Sequence, residues 1–234
     1  MSGLGLPIVL ASTSPRRREL LAHALGGPGK GEGERERDGG FTVVDPKIED
    51  SDLAMGCGPA SARRGASGGL PLKQWVASLA YLKARAGAER WVKGGGASDC
   101  LVIGADTLVD QDGQVLSKPL DAADAARMIR LVRNRAHEVL TGVALLHPAT
   151  GRRDVYTDRA IVTVGDIGDD EIAAYTAGGA WGGKSGAYNL QERLDAGWPL
   201  RVEGDPGCVT GLPTRSLLTR LRVFAASLPK GAVA

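Results

Sequence analysis

The sequence predicts an α/β fold, with a mixed central sheet and flanking helices. Short apolar segments of strand length alternate with segments in which apolar residues recur at helical spacing. Hairpin turns lie among the strands and indicate that some neighbours run antiparallel. The chain has 234 residues, 43% of them hydrophobic and 24% charged. This size and composition suit one large domain or two small lobes that share a cleft, and they exclude disorder throughout.

The N-terminal elements are predicted from apolar runs and a helix cap. Residues 8–12 are typical of a short buried strand. Ser14 is a natural N-cap, and Pro15 fits the first turn of a helix that runs to about Leu25. Residues 41–44 form the next predicted strand.

The later elements continue this alternation. Apolar residues at helical spacing predict a helix over residues 72–82. The Asp112-Gly113 pair predicts a hairpin turn, and Asp121 is an N-cap. The remaining predictions are strands over residues 101–104, from residue 108, over 137–146 and over 155–164, and helices after residue 121, over 169–176 and over 214–226.

Two glycine-rich segments interrupt the predicted domain. Residues 26–40 contain only glycine, one proline and charged residues, and residues 54–72 are rich in glycine, alanine and serine. Neither segment carries apolar anchors, so we expect flexible insertions. A functional lid is the alternative, because long loops in compact domains often have a function.

Composition also excludes several classes of partner. The net charge of +2 excludes a strongly basic nucleic-acid binder, and an aromatic content of 4% argues against a single-strand stacking platform. No apolar run approaches a membrane span, and the N-terminus lacks the features of a signal peptide. Three widely spaced cysteines indicate neither a disulfide framework nor a zinc site. We therefore expect a cytoplasmic protein that binds neither nucleic acid nor membrane.

The first candidate site is the segment 12–17, Ser-Thr-Ser-Pro-Arg-Arg, where a predicted strand leads into a helix. The N–H groups and the positive dipole end of a helix N-terminus attract anions. The hydroxyls of Ser12 and Ser14 add donors, and the guanidinium groups of Arg16 and Arg17 suit phosphate oxygens. The segment predicts a phosphate site, and a capped surface helix with solvated arginines is the alternative.

The second candidate site is the segment 104–107, Gly-Ala-Asp-Thr. The apolar strand before it would deliver Asp106 into a turn of small residues. A carboxylate at a strand end can hold a magnesium ion or act as a general base, and Thr107 could add a hydroxyl. The alternative is an aspartate that bonds to the backbone of its own turn.

Three lysines could complete a cationic cleft. Lys118 precedes a proline, which restricts its backbone to extended conformations. Lys83 lies near the edge of the apolar face of a predicted helix, and Lys184 lies in a glycine-rich turn. Each lysine alone would be an ordinary solvated side chain. If they converge with the two arginines, they would offset most of the charge of a triphosphate.

Other motifs are rejected. Residues 178–185 match the GxxxxGK[ST] pattern of a P-loop. A P-loop needs a buried strand before it and a long helix after it, whereas here a helix is predicted before it and no helical periodicity follows. No GxGxxG or GxSxG segment indicates a dinucleotide site or a serine nucleophile.

Six segments occur together in a characteristic order. They are LASTSPRRRELL (10–21), VIGADTLV (102–109), SKP (117–119), RNRAHEVLTGVAL (133–145), GKSGAYNLQ (183–191) and VTGLP (209–213). In combination they resemble the Maf family of nucleoside triphosphate pyrophosphatases, and the likeness covers most of residues 7–222.

The resemblance implies a Maf/ITPase-like fold, with two lobes around a deep cleft and with residues 1–234 as a single domain. It implies hydrolysis of a nucleoside triphosphate to the monophosphate and pyrophosphate with a divalent cation, Mg²⁺ or Mn²⁺. By motif, Asp106 would be the catalytic acid, as a metal ligand or a general base. The phosphates would be bound by Ser14, Arg16 and Arg17, with Lys83, Lys118 and Lys184 around them.

Three residues, Arg16, Thr107 and Gln191, are similar to the branch of the family that acts on dTTP and UTP. The related branch prefers methylated guanine nucleotides. A glutamine amide can pair with the carbonyl and N–H of a pyrimidine through complementary donors and acceptors. The resemblance therefore predicts dTTP or UTP, or a modified nucleotide, as the substrate, and Gln191 as the residue that recognises the base.

The chain departs from the family pattern near the predicted metal and base sites. After the second strand the family often has Val-Asp-Glu, where this chain has Ile48, Glu49 and Asp50. Asp50 aligns with the family's glutamate as a metal ligand, and Glu49 could substitute. Glycine commonly follows the family's glutamine, whereas here Glu192 adds a negative charge. These changes affect base specificity more than the reaction type.

Two alternative functions make different predictions from a pyrophosphatase. One is a nucleotide-binding regulator of cell division or septum formation that does not turn its ligand over. The retained Asp106 favours an enzyme, because a binder gains nothing from an uncompensated acid beside phosphates. The other is a P-loop kinase or ATPase, which would release the γ-phosphate. The resemblance also suggests a homodimer.

Overall fold

The structure is a computed structural model, and it describes residues 5–26, 40–48 and 70–229. Within these ranges it contains seven strands and seven α-helices, with a 3₁₀ turn at Ser185–Ala187. In chain order the elements are β1 (Ile8–Ala11), α1 (Pro15–Ala24), β2 (Phe41–Val44), α2 (Leu72–Lys93), β3 (Leu101–Gln111), β4 (Gln114–Leu116), α3 (Ala122–Val132), β5 (Arg135–His147), β6 (Arg152–Val164), α4 (Asp169–Ala177), α5 (Leu190–Asp195), β7 (Leu200–Glu203), α6 (Pro206–Thr210) and α7 (Thr214–Ala226).

The strands form one mixed sheet in the order β2-β1-β3-β5-β6-β7, and β4 pairs with β3. β1 runs parallel to β2 and to β3. The pairs β3–β4, β3–β5, β5–β6 and β6–β7 are antiparallel. The α/β fold with a mixed central sheet is therefore confirmed.

One edge of β3 is shared by two short strands. β1 pairs with residues 101–104 of β3, and β4 pairs with residues 109–111. β5 occupies the opposite edge along residues 102–110. Among the described strands, residues 105–108 of β3 thus have no ladder partner on the β1 side. The sheet opens at this gap, just beyond the C-terminal end of β1.

Helix α2 packs unusually close to the sheet because glycines lie beneath it. A Cβ atom at Gly104 of β3 would lie 2.4 Å from the carbonyl oxygen of Ala80. A Cβ atom at Gly142 of β5 would lie 2.3 Å from the carbonyl oxygen of Val76. Any larger residue at these positions would push the helix away, since real Cβ contacts are not this short.

Apolar side chains cover both faces of the sheet. On the α2 face, Val9 and Val102 pack against small residues of the helix such as Ala80 and Ala84. The opposite face is covered in two areas. Near the β1 end, Ile103 belongs to a cluster with residues of α1 and α7, and near the β4 end Val109 belongs to a cluster with residues of α3 and α4. The two areas meet beside the gap in β3.

Local signals explain several boundaries. The side chain of Ser14 caps α1, and Pro15 occupies its first turn as predicted. The hairpin between β3 and β4 is confirmed, and its central residues Asp112 and Gly113 have φ values of 50° and 83°. Positive φ at both positions is the requirement of a type I′ turn.

The structure corrects two predictions and adds three short elements. Asp106 was expected in a turn after a strand ending at residue 104, but β3 continues through it to residue 111 because β5 pairs along its length. The helix predicted over residues 72–82 extends to Lys93. The short elements α5, α6 and β7 were not predicted at all.

Most of the two predicted insertions lies outside the described residues, so their flexibility stays a prediction. The division of the chain into two lobes also stays a prediction.

Candidate active site

A cleft of about 410 Å³ lies at the gap in β3. Its lining includes nine of the ten residues expected to bind or convert the substrate: Ser12, Ser14, Arg16, Arg17, Lys83, Asp106, Thr107, Lys118 and Lys184. The most distant of these residues, Ser12 and Lys184, are 172 positions apart in the sequence, and the fold brings the set together in one cleft.

The cleft is strongly cationic although the whole chain carries only +2. Six lysines and arginines line it, against two aspartates, Asp45 and Asp106. An excess of this size is comparable with the charge of a nucleoside triphosphate, and a concave site concentrates its field. The positive charge of the protein is thus local, as the balanced composition required.

The loop between β1 and α1 forms one wall of the cleft. The Oγ atom of Ser12 accepts a hydrogen bond from the Ser14 N–H at 3.2 Å. The Oγ atom of Ser14 accepts from the Arg17 N–H at 3.5 Å, and no acidic residue lies in the first turn of α1. Helix α1 therefore presents an N-terminus without a competing carboxylate, which is the arrangement that favours a bound anion.

Asp106 and Lys83 form a buried ion pair. The Nζ atom of Lys83 lies 2.5 Å from the Oδ1 atom of Asp106, and the two side chains are only 10% and 8% exposed. Lys83 reaches this position from α2, and the close packing of that helix on Gly104 sets the distance. The pair places a carboxylate of fixed orientation beside the loop between β1 and α1.

Arg17 is held by two elements that are distant in sequence. Its Nε atom donates to the carbonyl oxygen of Gly211 at 2.8 Å, and its Nη2 atom donates to the Oγ1 atom of Thr107 at 3.2 Å. Gly211 has φ of +109°, and a Cβ atom there would lie 3.1 Å from the Arg17 Nε atom. Both the conformation and the space explain the glycine of the VTGLP motif.

Lys118 and Lys184 occupy neighbouring turns at the opposite side. The Gly186 N–H donates to the carbonyl oxygen of Ser117 at 3.2 Å and so joins the two turns. The ammonium of Lys184 is nearly buried and bonds to the carboxylate of Glu192. The residue that departs from the family pattern thus neutralises one cation of the cleft. Residues 178–185 follow α4 and precede a 3₁₀ turn, so the P-loop is excluded.

Gln191 is not among the cleft-lining residues. It is exposed on α5, and its Nε2 atom donates to the Oδ1 atom of Asp195 at 2.8 Å. To contact a base, it would have to exchange this bond for one to the substrate. Its role in base recognition stays a prediction. Glu49 and Asp50, the other expected metal ligands, lie outside the described residues.

Sequence reasoning missed three residues of this region. Asp45 follows β2 and lines the cleft, and Tyr188 lines it from the turn after the 3₁₀ segment. Thr141 lies beneath the cleft on β5, directly opposite Thr107. The sequence offered a signal for Asp45: it follows β2, which runs parallel to β1, so it lies at the same edge of the sheet as Ser12. Thr141 sits in an apolar run, where nothing in the sequence distinguishes its hydroxyl.

Hydrogen bonding and burial shift the pKa values of groups near the cleft. Hydrogen bonds from the side chain and backbone of Lys47 lower the pKa of Asp45. Burial raises the pKa of Cys208 to about 12 and lowers that of His137 to about 4. The Cys208 thiol is therefore protonated at neutral pH and is no nucleophile.

Neither a membrane span nor a preformed metal cluster is found in the described part of the chain. None of its helices combines the length and the apolar character needed to cross a bilayer. No three His, Cys, Asp or Glu side chains converge in it as a ligand set.

Comparison with known proteins places this site in a family. A family model described as "Maf-like protein" matches residues 7–224. A dTTP/UTP pyrophosphatase of Moorella thermoacetica is 39% identical over 220 residues, which cover 93% of this chain and 94% of the relative. A protein of the same name from Koribacter versatilis is 36% identical, and the match covers 94% of this chain and 95% of the relative. Another, from Salinibacter ruber, is 35% identical, and the match covers 96% of this chain and 94% of the relative. The resemblance drawn from the six motifs is confirmed, and the chain belongs to the Maf family.

Proposed function

We propose that this protein hydrolyses dTTP and UTP to the monophosphate and pyrophosphate. The observation that carries the proposal is the buried Asp106–Lys83 pair, 2.5 Å apart, inside a cationic cleft at the N-terminus of α1. The relatives named dTTP/UTP pyrophosphatases, 32–39% identical over most of the chain, supply the substrate class.

Phosphate binding follows from the charge of the cleft. The first turn of α1, with Arg16 and Arg17, lines the cleft. Lys118 and Lys184 approach from the opposite side. A triphosphate between them would exchange its hydration for fixed donors, which lowers the cost of charge that grows on the phosphate oxygens during attack.

Asp106 is positioned to activate the attacking water. The Lys83 ammonium fixes one carboxylate oxygen, so the carboxylate cannot rotate away from the phosphates. We assign Asp106 as the general base, which accepts a proton from water as the water oxygen bonds to phosphorus. The bond to the bridging oxygen between the α and β phosphorus atoms breaks, and pyrophosphate leaves with the electron pair. General bases contribute about 10²–10⁴-fold to such reactions.

The donor set of the cleft fits a magnesium ion. Mg²⁺ usually keeps several waters and binds one or two carboxylates together with substrate phosphates. The described residues offer such carboxylates in Asp106 and Asp45, and Glu49 and Asp50 are further candidates by resemblance. The ion would supply charge neutralisation on the phosphates when bound.

A regulator without turnover is not favoured by the close relatives, which are named as enzymes. The expectation of an uncompensated acid was wrong, because Asp106 pairs with Lys83, so the acid alone does not separate an enzyme from a binder. The homodimer suggested by the resemblance stays a prediction.

The test is a panel of dTTP, UTP, CTP and a methylated GTP with Mg²⁺. Released phosphate is measured with malachite green, with and without added inorganic pyrophosphatase. We expect phosphate only when the pyrophosphatase is present, and highest turnover with dTTP and UTP. Phosphate without the added enzyme would indicate γ-phosphate release and overturn the proposal, as would no turnover of any substrate. EDTA should abolish turnover; unchanged turnover would reject the metal requirement.

A further inference from the structure

A line of hydroxyl groups runs from Arg17 into the core. Thr107 on β3 and Thr141 on β5 are directly opposite each other, and their Oγ1 atoms are 2.9 Å apart. Thr141 is fully buried, and its Oγ1 atom lies 2.7 Å from the carbonyl oxygen of Cys208. At the other end, the Arg17 Nη2 atom donates to Thr107 at 3.2 Å.

The direction of each hydrogen bond follows from the number of protons. A carbonyl oxygen only accepts, so Thr141 donates its single hydroxyl proton to Cys208. The Thr141 oxygen must then accept in its contact with Thr107, which makes Thr107 the donor there. The only hydroxyl proton of Thr107 is thereby committed to Thr141, and its oxygen accepts from Arg17. Donation runs from Arg17 through Thr107 and Thr141 to Cys208.

Both ends of this line of hydrogen bonds contact the same segment, residues 206–211. Cys208 lies in α6, and Gly211, which follows that helix, accepts the Nε–H of Arg17 at 2.8 Å. The guanidinium is therefore fixed at two of its nitrogens by groups that α6 anchors. A planar guanidinium held at two points keeps one orientation, which is what recognition of phosphate oxygens requires.

We infer that Thr141 is a positioning residue for Arg17 and acts on it through Thr107. The same geometry indicates that Thr107 affects the reaction by orienting Arg17 rather than by donating to the substrate. The inference rests on the proposed function only in that Arg17 binds the phosphates of the substrate.

The test compares isosteric variants. Thr141→Val removes the hydroxyl at nearly constant volume, and Thr141→Ser restores it. Binding of inorganic triphosphate is measured by calorimetry, and KM and kcat are measured with dTTP. We expect Thr141→Val to weaken triphosphate binding and raise KM about tenfold, because a hydrogen bond to a charged group loses its fixed acceptor. We expect Thr141→Ser to recover most of the loss, and Thr107→Val to reproduce it.

Thr157→Val is the matched control. Thr157 lies on β6, and its hydroxyl also donates to a backbone carbonyl, that of Lys73, at 2.7 Å. We expect it to change triphosphate binding by less than about twofold. Equal loss in Thr157→Val and Thr141→Val would overturn the inference, as would unchanged binding in Thr141→Val or failure of the serine variant to restore it.

A double-mutant cycle separates positioning from general loosening. In an Arg17→Lys background the guanidinium that bonds to Thr107 is absent, so Thr141→Val should weaken triphosphate binding little further. Fully additive losses of binding free energy in the double variant would overturn the inference. Calorimetry with inorganic triphosphate needs no turnover. If the protein fails to hydrolyse dTTP while triphosphate binding still responds to Thr141, the proposed function fails and the positioning role stands.

Discussion

The two sides of the cleft are built in different ways. On one side, the loop after β1, Asp106 and Lys83 depend on strand register and on a helix packed at backbone contact over Gly104. On the other side, the turn at residues 183–191 depends on side-chain pairs and on backbone conformations with positive φ. Gly183, Gly186 and even Ala187 have φ values of 68°, 73° and 69°. We expect the first side to carry the chemistry, whereas single substitutions can change the charges of the second side.

This difference predicts that changes on the turn alter substrate preference more easily than they abolish the reaction. Strand register moves a whole set of residues together, so the catalytic side is either formed or lost. On the turn, one substitution changes one charge. Glu192, which pairs with Lys184, and Asp195, which pairs with Gln191, are two such positions in this chain.

The largest effect is expected from Asp106→Asn. The amide oxygen can still accept from Lys83, but the group can no longer take a proton, so kcat should fall about 10²–10⁴-fold. Asp110→Asn is the matched control, since Asp110 lies on the same strand and the same face but is not among the cleft-lining residues. The readout is kcat from steady-state kinetics on both variants. An unaltered kcat in Asp106→Asn would show that Asp106 is not the general base.

The next effect concerns the stability of the second side at low pH. His137 hydrogen-bonds to Tyr188 of the turn, and burial lowers its pKa from 6.5 to about 4. Between these values the unfolded chain binds a proton that the folded protein does not. The free energy of unfolding should therefore fall as the pH decreases from 6.5 to 4, by on the order of 3 kcal/mol from this group.

Urea denaturation at several pH values checks the role of His137. The His137→Gln variant should show a flatter dependence in this window, and His23→Gln, an exposed histidine on α1, should keep the wild-type slope. An unchanged slope in His137→Gln would contradict the prediction.

A smaller loss of stability is expected on the catalytic side from Gly104→Ala. The new Cβ would lie 2.4 Å and 2.6 Å from backbone atoms of α2, which must move. Overpacking of this kind costs about 1–3 kcal/mol, and it would also separate Lys83 from Asp106 and lower kcat. The control Gly178→Ala places its Cβ no closer than 3.5 Å to other atoms. Denaturation curves and kcat are measured together; a stable variant with full activity would show that the helix packing does not set the pair.

The smallest effect is expected from Gln191→Ala. If its amide recognises the base, the preference for pyrimidine over purine triphosphates should fall about tenfold, because an unpaired polar group costs roughly 1–3 kcal/mol. Asp195→Ala removes only the partner of Gln191 on α5 and should leave the preference unchanged. The ratio of kcat/KM for dTTP and a purine triphosphate is the readout, and equal loss for both bases would argue against base recognition.

Much of the catalytic side could be predicted from sequence because its signals are local. Ser14 and Pro15 mark the start of α1, and Asp112-Gly113 marks the hairpin, each by its own backbone preference. The alternation of strands and helices predicted the mixed sheet. Nine of the ten expected site residues line one cleft, and the six motifs contain eight of these nine; the ninth, Lys83, lies outside the motifs on α2.

The missed features depend on partners distant in sequence. The strand through Asp106 is extended by β5, where Gly142, 36 residues later, lies opposite Asp106, and no local signal marks that pairing. β7 reads Leu-Arg-Val-Glu, too short and too polar to stand out, and it forms because β6 offers an edge. The bonds of Thr141, Glu192 and Gln191 are side-chain pairings that only the folded chain defines.

The interrupted edge of β3 makes the length of β1 a determinant of activity. β1 stops at Ala11, opposite Gly104, two residues short of Asp106. If β1 were two residues longer in the same register, it would pair with β3 as far as Asp106 and close the gap at which the cleft lies. The end of the β1–β3 pairing at Ala11 therefore keeps the cleft open. We expect insertions near Ser12 to reduce activity far more than insertions of the same length in other loops.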